Sequence, residues 1–263
     1  MKKHTRLLSC VCAILLVVLL ALSGCTSKDD VVINGVEDLK GKKIGVQRGT
    51  TGDDYATNDV ENATVERFAK GADAILALKQ KKVDCIVIDN EPAKAFVKNN
   101  SDLKILEETC TEEEYAIAVK KGSDLTAKLN QAIDDLKADG TLQKIIDNYI
   151  GDNVGQTPYV SPADVIRDNG TLKMGTEPGF EPYEYMDGEK VVGLDVDLAQ
   201  AICDKLGMTL VIEIYEFDAI LPALATSKID VGIAGMTVDA ERLKEVDFTN
   251  PYVPASQVII VRK

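Results

Sequence analysis

The chain has 263 residues, 45% of them hydrophobic and 28% charged, with no tryptophan and a formal net charge of −13. That balance suits an ordered globular protein of one or two domains. A surface this acidic argues against nucleic acid as a partner, because phosphates are gripped by clustered Lys and Arg.

Residues 1–24 read as a secretory signal peptide, with Lys2, Lys3 and Arg6 ahead of an apolar stretch at 7–22. A short transmembrane anchor is the other reading of the same stretch. Leu22-Ser23-Gly24-Cys25 resembles a bacterial lipobox. That resemblance implies cleavage before Cys25 and acylation of its thiol with palmitate-type chains. At ~0.8 kcal/mol per buried CH₂, such chains would hold the protein as a lipoprotein on the extracytoplasmic face of the cell membrane. Residues 25–35 are then the lipidated Cys and a tether. Cys85, Cys110 and Cys203 remain, without a C-x-x-C pair. Cys85 and Cys203 sit in apolar patterns as buried thiols, and one disulfide is left open.

The single histidine, His4, lies in the signal segment, so the mature chain has no imidazole for triads or metal ligation. It also lacks G-x-x-x-x-G-K-[ST] and G-x-G-x-x-G. We expect no cofactor, no metal and no enzymatic activity.

Residues 44–47 (IGVQ) read as a strand, then Arg48-Gly49-Thr50-Thr51-Gly52 opens a helix to about Thr57. A Gly/Thr turn at a helix N-terminus is an anion site or an ordinary βα turn. A strand at 64–68 and a helix at 71–80 follow, with Ala72, Ile75 and Leu76 on its inward face. Residues 85–88 form a buried strand ending at Asp89, where open α/β sheets bind ligands; Asp89 is equally a helix N-cap. The reading continues with a helix to Lys98, strands at 103–106 and 115–119, and helices at 125–138 and around Leu142–Tyr149, separated by Gly140. Residues 151–162 (GDNVGQTPYVSP) are a linker, followed by a short helix to Arg167. Beyond it come a strand at 172–176, a loop from Glu177 to Tyr183, a helix from about Asp195 to Gly207, a strand at 209–214 and a helix at 218–226.

DAILALKQKKVDCIVID from Asp73 and DAILPALATSKIDVGIAG from Asp218 form an internal repeat. Each copy reads helix, Lys, β-branched residue, Asp, buried strand. A repeat spaced by over half the mature chain points to two similar α/β lobes with a cleft, unless the likeness is chance.

Val231, Ile233 and Ala234 read as a buried strand that ends at Gly235. Asp239 is a helix N-cap, so Arg242 falls in a first turn, where a cation opposes the helix dipole. Arg242 is a solvated residue or points at an anion. In the second case Gly235 N–H, the Thr237 hydroxyl and the Arg242 fork wrap a carboxylate.

The run G-M-T-x-x-x-E-R followed by V-D-F-T-x-P-Y, residues 235–252, resembles the polar amino-acid solute-binding proteins of ABC importers. The resemblance implies that Gly235, Thr237 and Arg242 hold a ligand α-carboxylate, with Thr50 and Thr51 as a second clamp and Gln47 on the rim. It implies that Asp89, in V-D-x-x-x-x-D-x-x-P-A, takes the α-amino group. Phe180 and Phe217 match residues that pack on the ligand side chain, although bare sequence reads them as core. Glu177 stands where basic-amino-acid binders often carry an acid. The fold implied is α/β: the two-lobed, type II periplasmic-binding-protein architecture, closing about a hinge.

The order is rotated relative to that family, and we read a circular permutation. Residues 36–120 correspond to its second lobe. Residues 121–150 form a helical tail packing on the other lobe, 151–163 a linker created by permutation, and 164–255 its first lobe. Residues 256–263 are a terminal hinge strand, expected to run from one lobe to the other and to dock by sheet hydrogen bonds alone. That leaves Tyr115 to Ser123 as the unbroken crossing.

The expected partners are a free polar amino acid, with Arg, Lys and His as candidates, and the ABC permease subunits; the protein is expected to be a monomer. A ligand sensor, or a cyclohexadienyl-type dehydratase on the same fold, is the alternative.

Overall fold

The computed structural model describes residues 31–263. Residues 1–24, read above as a signal peptide, and Cys25 lie outside the described residues. Residues 33–263 form one compact unit.

A 3₁₀ turn at Val36–Leu39 leads into β1 (Lys43–Gln47), α1 (Thr51–Asn58), β2 (Thr64–Phe68), α2 (Gly71–Lys79), β3 (Cys85–Asp89), α3 (Asn90–Lys98), β4 (Leu103–Tyr115) and β5 (Ala118–Lys120). Two helices follow, α4 (Leu125–Ala138) and α5 (Thr141–Tyr149), separated by Gly140 at φ +76°. Residues 151–170 carry no helix or strand, so the short helix expected before Arg167 does not form. Asp168-Asn169-Gly170 favours a turn instead, and Gly170 takes φ +87°.

The second half contains β6 (Thr171–Thr176), β7 (Gly179–Phe180), β8 (Glu184–Asp187), β9 (Lys190–Val192), α6 (Leu194–Leu206), β10 (Thr209–Ile214), α7 (Phe217–Ala225), β11 (Val231–Gly232), α8 (Arg242–Glu245), β12 (Val246–Phe248) and β13 (Val253–Arg262). The strand expected over 231–234 is only two residues long, although Ile233 and Ala234 are buried as expected.

Two five-stranded sheets result, in the orders β2-β1-β3-β13-β4 and β10-β6-β11-β5-β12, with β7-β8-β9 as a small antiparallel sheet. β1 pairs in parallel with β2 and β3, and β6 pairs in parallel with β10 and β11. Each sheet therefore begins as the same βαβαβ unit, with the first strand between the second and third. The two DAIL copies sit on α2 and α7, each leading to the third strand of its unit. The fourth strand of each sheet is antiparallel: β13 beside β3, and β5 beside β11.

Each of those fourth strands arrives from the other lobe. The chain crosses at Ala116–Ile117, between β4 and β5, and again at residues 249–252, between β12 and β13. The two crossings bond to each other. Thr249 N–H donates to Ile117 O at 3.0 Å, and Tyr252 N–H donates to Tyr115 O at 2.9 Å.

Both crossings are continuous chain, which corrects the expectation of one. The terminal strand is also reassigned. β13 lies wholly within the first sheet, paired with both β3 and β4, and the crossing precedes it. Nor does it dock by hydrogen bonds alone. Val258 and Ile260 enter a core with Ile75, Leu78, Val83, Ile86, Ile88 and Leu103. The second lobe's core joins Leu129, Ile133, Leu136, Leu142 and Ile145 of α4 and α5 to Leu198, Ala201 and Ile202 of α6.

Two further expectations change. On α2 the inward residues are Ala74, Ile75, Ala77 and Leu78, while Ala72 is exposed and Leu76 is 53% exposed. The apolar run DAILALK offers two helical phases, and contact with the sheet selects the one with Leu78 inward. β4 is thirteen residues long and includes the acidic run 107–114, which reads as non-strand. It is an edge strand, and charges are tolerated there because one side faces water.

Candidate functional site

The carboxyl ends of β1, β3, β6 and β11 converge between the lobes, where an open α/β sheet places ligands. They border a small, tightly closed cavity lined by Gln47, Thr50, Thr51, Asp89, Glu177, Phe180, Glu184, Phe217, Gly235 and Arg242. Nine of the ten residues predicted from sequence meet here.

Asp89 closes β3 and opens α3, but its side chain makes no capping bond. Its carboxyl accepts from the Tyr115 hydroxyl instead and turns towards the cavity. Burial, with the charge of Glu113 second, pushes its pKa up to about 7, against the pull of the Tyr115 hydrogen bond.

Arg242 comes from the opposite lobe. Asp239 Oδ1 accepts from the Glu241 and Arg242 amides at 2.8 Å each, which fastens the turn leading into the short α8, although the N-cap is Glu241 and not Asp239 as expected. The guanidinium is buried, not solvated. Nη1 donates to Thr237 O at 2.7 Å, Nη2 to Gly49 O at 3.0 Å in the facing lobe, and Nε meets Asp239 Oδ2 at 3.1 Å. These contacts use three of the five N–H donors of the fork. The Phe217 ring lies 5.5 Å from the guanidinium carbon and supports it by a cation–π contact.

Thr50 is the N-cap of α1: its hydroxyl donates to Gln47 O at 2.8 Å and accepts from Asp53 N–H at 3.3 Å. Thr51 opens the helix, so the α1 N-terminus and its positive dipole end face the cavity. A Cβ at Gly52 would stand 3.0 Å from Val87 O on β3 and 2.7 Å from Gln257 Oε1 on β13, so the glycine lets the start of α1 pack tightly on the sheet.

Three predicted placements are corrected. Gln47 is a buried wall residue, not a rim residue; its amide donates to Ala69 O at 3.3 Å and Glu177 Oε2 at 3.4 Å, the second bond joining the lobes. Thr237 is not among the lining residues, because its hydroxyl is held by Glu113. The Gly235 N–H donates to Asp195 Oδ2 at 2.9 Å, because a fully buried carboxylate needs donors, so the glycine offers the cavity its backbone without that proton. Gly235 has φ +54°, and a Cβ there would stand 2.6 Å from the Phe180 ring.

Glu177 and Phe180 follow β6 and line the cavity, both buried. Burial raises the Glu177 pKa, partly offset by Gln47. The sequence reading missed Glu184, Asp195, Tyr115 and Glu113. No local pattern marks them: their neighbours come from other strands and helices. Cys85, Cys110 and Cys203 are free thiols, two buried and one half-buried.

The chain is thus a two-lobed α/β protein with a buried, charge-lined cleft between its lobes and two segments crossing from one to the other. A family model, Bacterial extracellular solute-binding proteins, family 3, matches residues 63–152 and 172–263, and the chain belongs to that family. It is similar to the arginine-binding extracellular protein ArtP of Bacillus subtilis, 37% identical over 92 residues, 35% of this chain and 36% of ArtP. It is also similar to the L-cystine-binding protein TcyJ of Escherichia coli K12, 32% identical over 124 residues, 46% and 47% of the two chains. The chain thus spans between about a third and a half of the length of these curated relatives. Among solved structures, an ancestral arginine-binding protein bound to arginine is 52% identical over 32% of this chain and 38% of its own, with a TM-score of 0.32.

Proposed function

We propose that the protein captures one free amino acid with a polar side chain by closing its lobes, and presents it to the permease of an ABC importer. The carrying observation is that Asp89 and Arg242, from opposite lobes, line one cavity. Arg242 receives the α-carboxylate, assisted by the N-terminal turn of α1 at Thr50 and Thr51. Asp89 receives the α-ammonium, and Phe180, Phe217, Glu177 and Gln47 surround the side chain. Only the closed form makes both charged contacts, so ligand shifts the population towards it. Charge-assisted hydrogen bonds contribute ~1.5–3 kcal/mol each, enough in sum for micromolar binding.

Anchoring through acylated Cys25 on the extracytoplasmic face completes the reading, supported by the lipobox-like LSGC. The rotated chain order belongs to it as well. The 153–171 interval between the two matched stretches overlaps the irregular 151–170 segment, and a rotated chain aligns with unrotated relatives over one stretch at a time.

The test is thermal unfolding of protein without residues 1–25, refolded to strip ligand, against single amino acids. A ligand at a hundred times its Kd should stabilise the fold by ~2.7 kcal/mol and raise the midpoint. Arg242→Ala should abolish the shift. No shift with any amino acid would defeat the assignment.

A further inference from the structure

Three carboxyl groups and one guanidinium line the cavity. Asp89 and Arg242 have roles, and Glu177 is served by the Gln47 amide. Glu184 is different. It stands opposite Phe180 across the β7–β8 pair, is fully buried, and among the described residues no donor group reaches either carboxyl oxygen; the neighbour that shares its proton is the Asp195 carboxyl.

Its neighbour Asp195, in the first turn of α6, is well supplied. Asp195 accepts from Gly235 N–H at 2.9 Å and from the Tyr252 hydroxyl at 2.8 Å. The negative charge of this carboxyl pair therefore belongs on Asp195. A second charge on Glu184 would be desolvated, without donors, and repelled. Burial first, then the Asp195 charge and the hydrogen bond the protonated Glu184 makes to Asp195, hold the Glu184 carboxyl well above its ordinary range, and Glu177 and Asp89 add to the same effect. The Tyr183 and Tyr252 hydroxyls, from the β7–β8 turn and the second crossing, are themselves pushed up by burial and stay neutral. Arg242 is the cation lining the cavity.

We propose that Glu184 is a ligand-facing carboxyl that selects an amino acid with a cationic side chain, by giving up its proton to solvent and becoming the counter-ion of that side chain. This rests on the cavity being an amino-acid site. The O–H bond of Glu184 breaks, the proton passes to buffer, and a carboxylate–guanidinium or carboxylate–ammonium pair forms. A neutral side chain cannot stabilise the new carboxylate, so the proton stays. A residue that merely tethered Asp195 would release no proton in response to ligand charge.

The experiment is titration calorimetry of the full-length protein with arginine and with citrulline, its neutral isostere, in two buffers of different ionisation enthalpy. Asp89 gives up its proton to buffer as it pairs with the α-ammonium of either ligand, so the difference between ligands isolates the side chain. Arginine should release up to about one proton more than citrulline. Glu184→Gln should remove that excess and narrow the arginine-over-citrulline preference at least tenfold, about 1.4 kcal/mol. Equal proton counts in the unaltered protein would overturn the proposal without the need for any variant. So would an excess that persists in Glu184→Gln and vanishes in Glu177→Gln. If neither ligand bound and no other amino acid did, the site reading itself would fall, and this inference with it.

Discussion

At the scale of single residues, Asp89 carries the clearest pH signature. An ordinary aspartate titrates near ~3.9, whereas burial raises Asp89 to about 7. The ligand-free folded state then binds more protons than the unfolded chain between those values. The stability contributed by Asp89 is present at low pH and is lost as pH rises through the folded pKa, with a slope of at most ~1.4 kcal/mol per pH unit. Amino-acid binding runs the other way, because the α-ammonium requires the ionised form. Affinity for a neutral amino acid should rise up to about tenfold per pH unit and level off above about 7. Asp89→Asn should flatten that profile and weaken binding by roughly ten- to a hundredfold, the value of one charge-assisted hydrogen bond. A binding curve across this range for both proteins checks it, and an unchanged slope in Asp89→Asn would move the titration elsewhere.

At the scale of elements, β13 decides the first lobe. It is the only strand joining β3 to β4 in that sheet, and it buries Val258, Ile259, Ile260 and Val261. Each such side chain is worth ~1.5–3 kcal/mol, against a net stability of ~5–15 kcal/mol for a typical domain. Deleting residues 257–263 should therefore abolish cooperative unfolding, as read by circular dichroism on heating. A retained sigmoidal transition would show that β4 closes directly on β3. The element pattern also shows where sequence is legible. β1, β3, β6 and β10 are apolar runs bounded by turn signals, and the sequence marks each of them within one or two residues. The acidic half of β4 is not visible, because its strand character comes from pairing with β13 and not from its own residues. Asp89, Gly235 and Arg242 are legible because each sits at a strand end or a turn signal. Glu184 is not, because only the hairpin of β7 and β8 sets it beside Asp195. Thr237 is misjudged for the same reason: its partner Glu113 lies more than a hundred positions away.

At the scale of the whole molecule, Val36 N–H donates to Glu108 and Lys263 N–H to Asp102, so both ends of the described core lie along β4. The six intervening strand residues span ~20 Å, which a flexible joint of about ten residues bridges. Reordering the chain by joining residue 263 to residue 31 and opening it within 151–163 should preserve ligand affinity within about threefold, less than 1 kcal/mol. A loss of binding by a soluble, folded reordered protein would count against the rotated reading. The reciprocal exchange of strands has one more consequence. A cut in the irregular segment yields two pieces, one with β1 to β5 and the other with β6 to β13. Neither piece owns a finished sheet, since the first lacks β13 and the second lacks β5. The halves complete both sheets only by interlocking. Fused to the fragments of a split reporter, they would make a genetically divisible device whose output depends on their meeting.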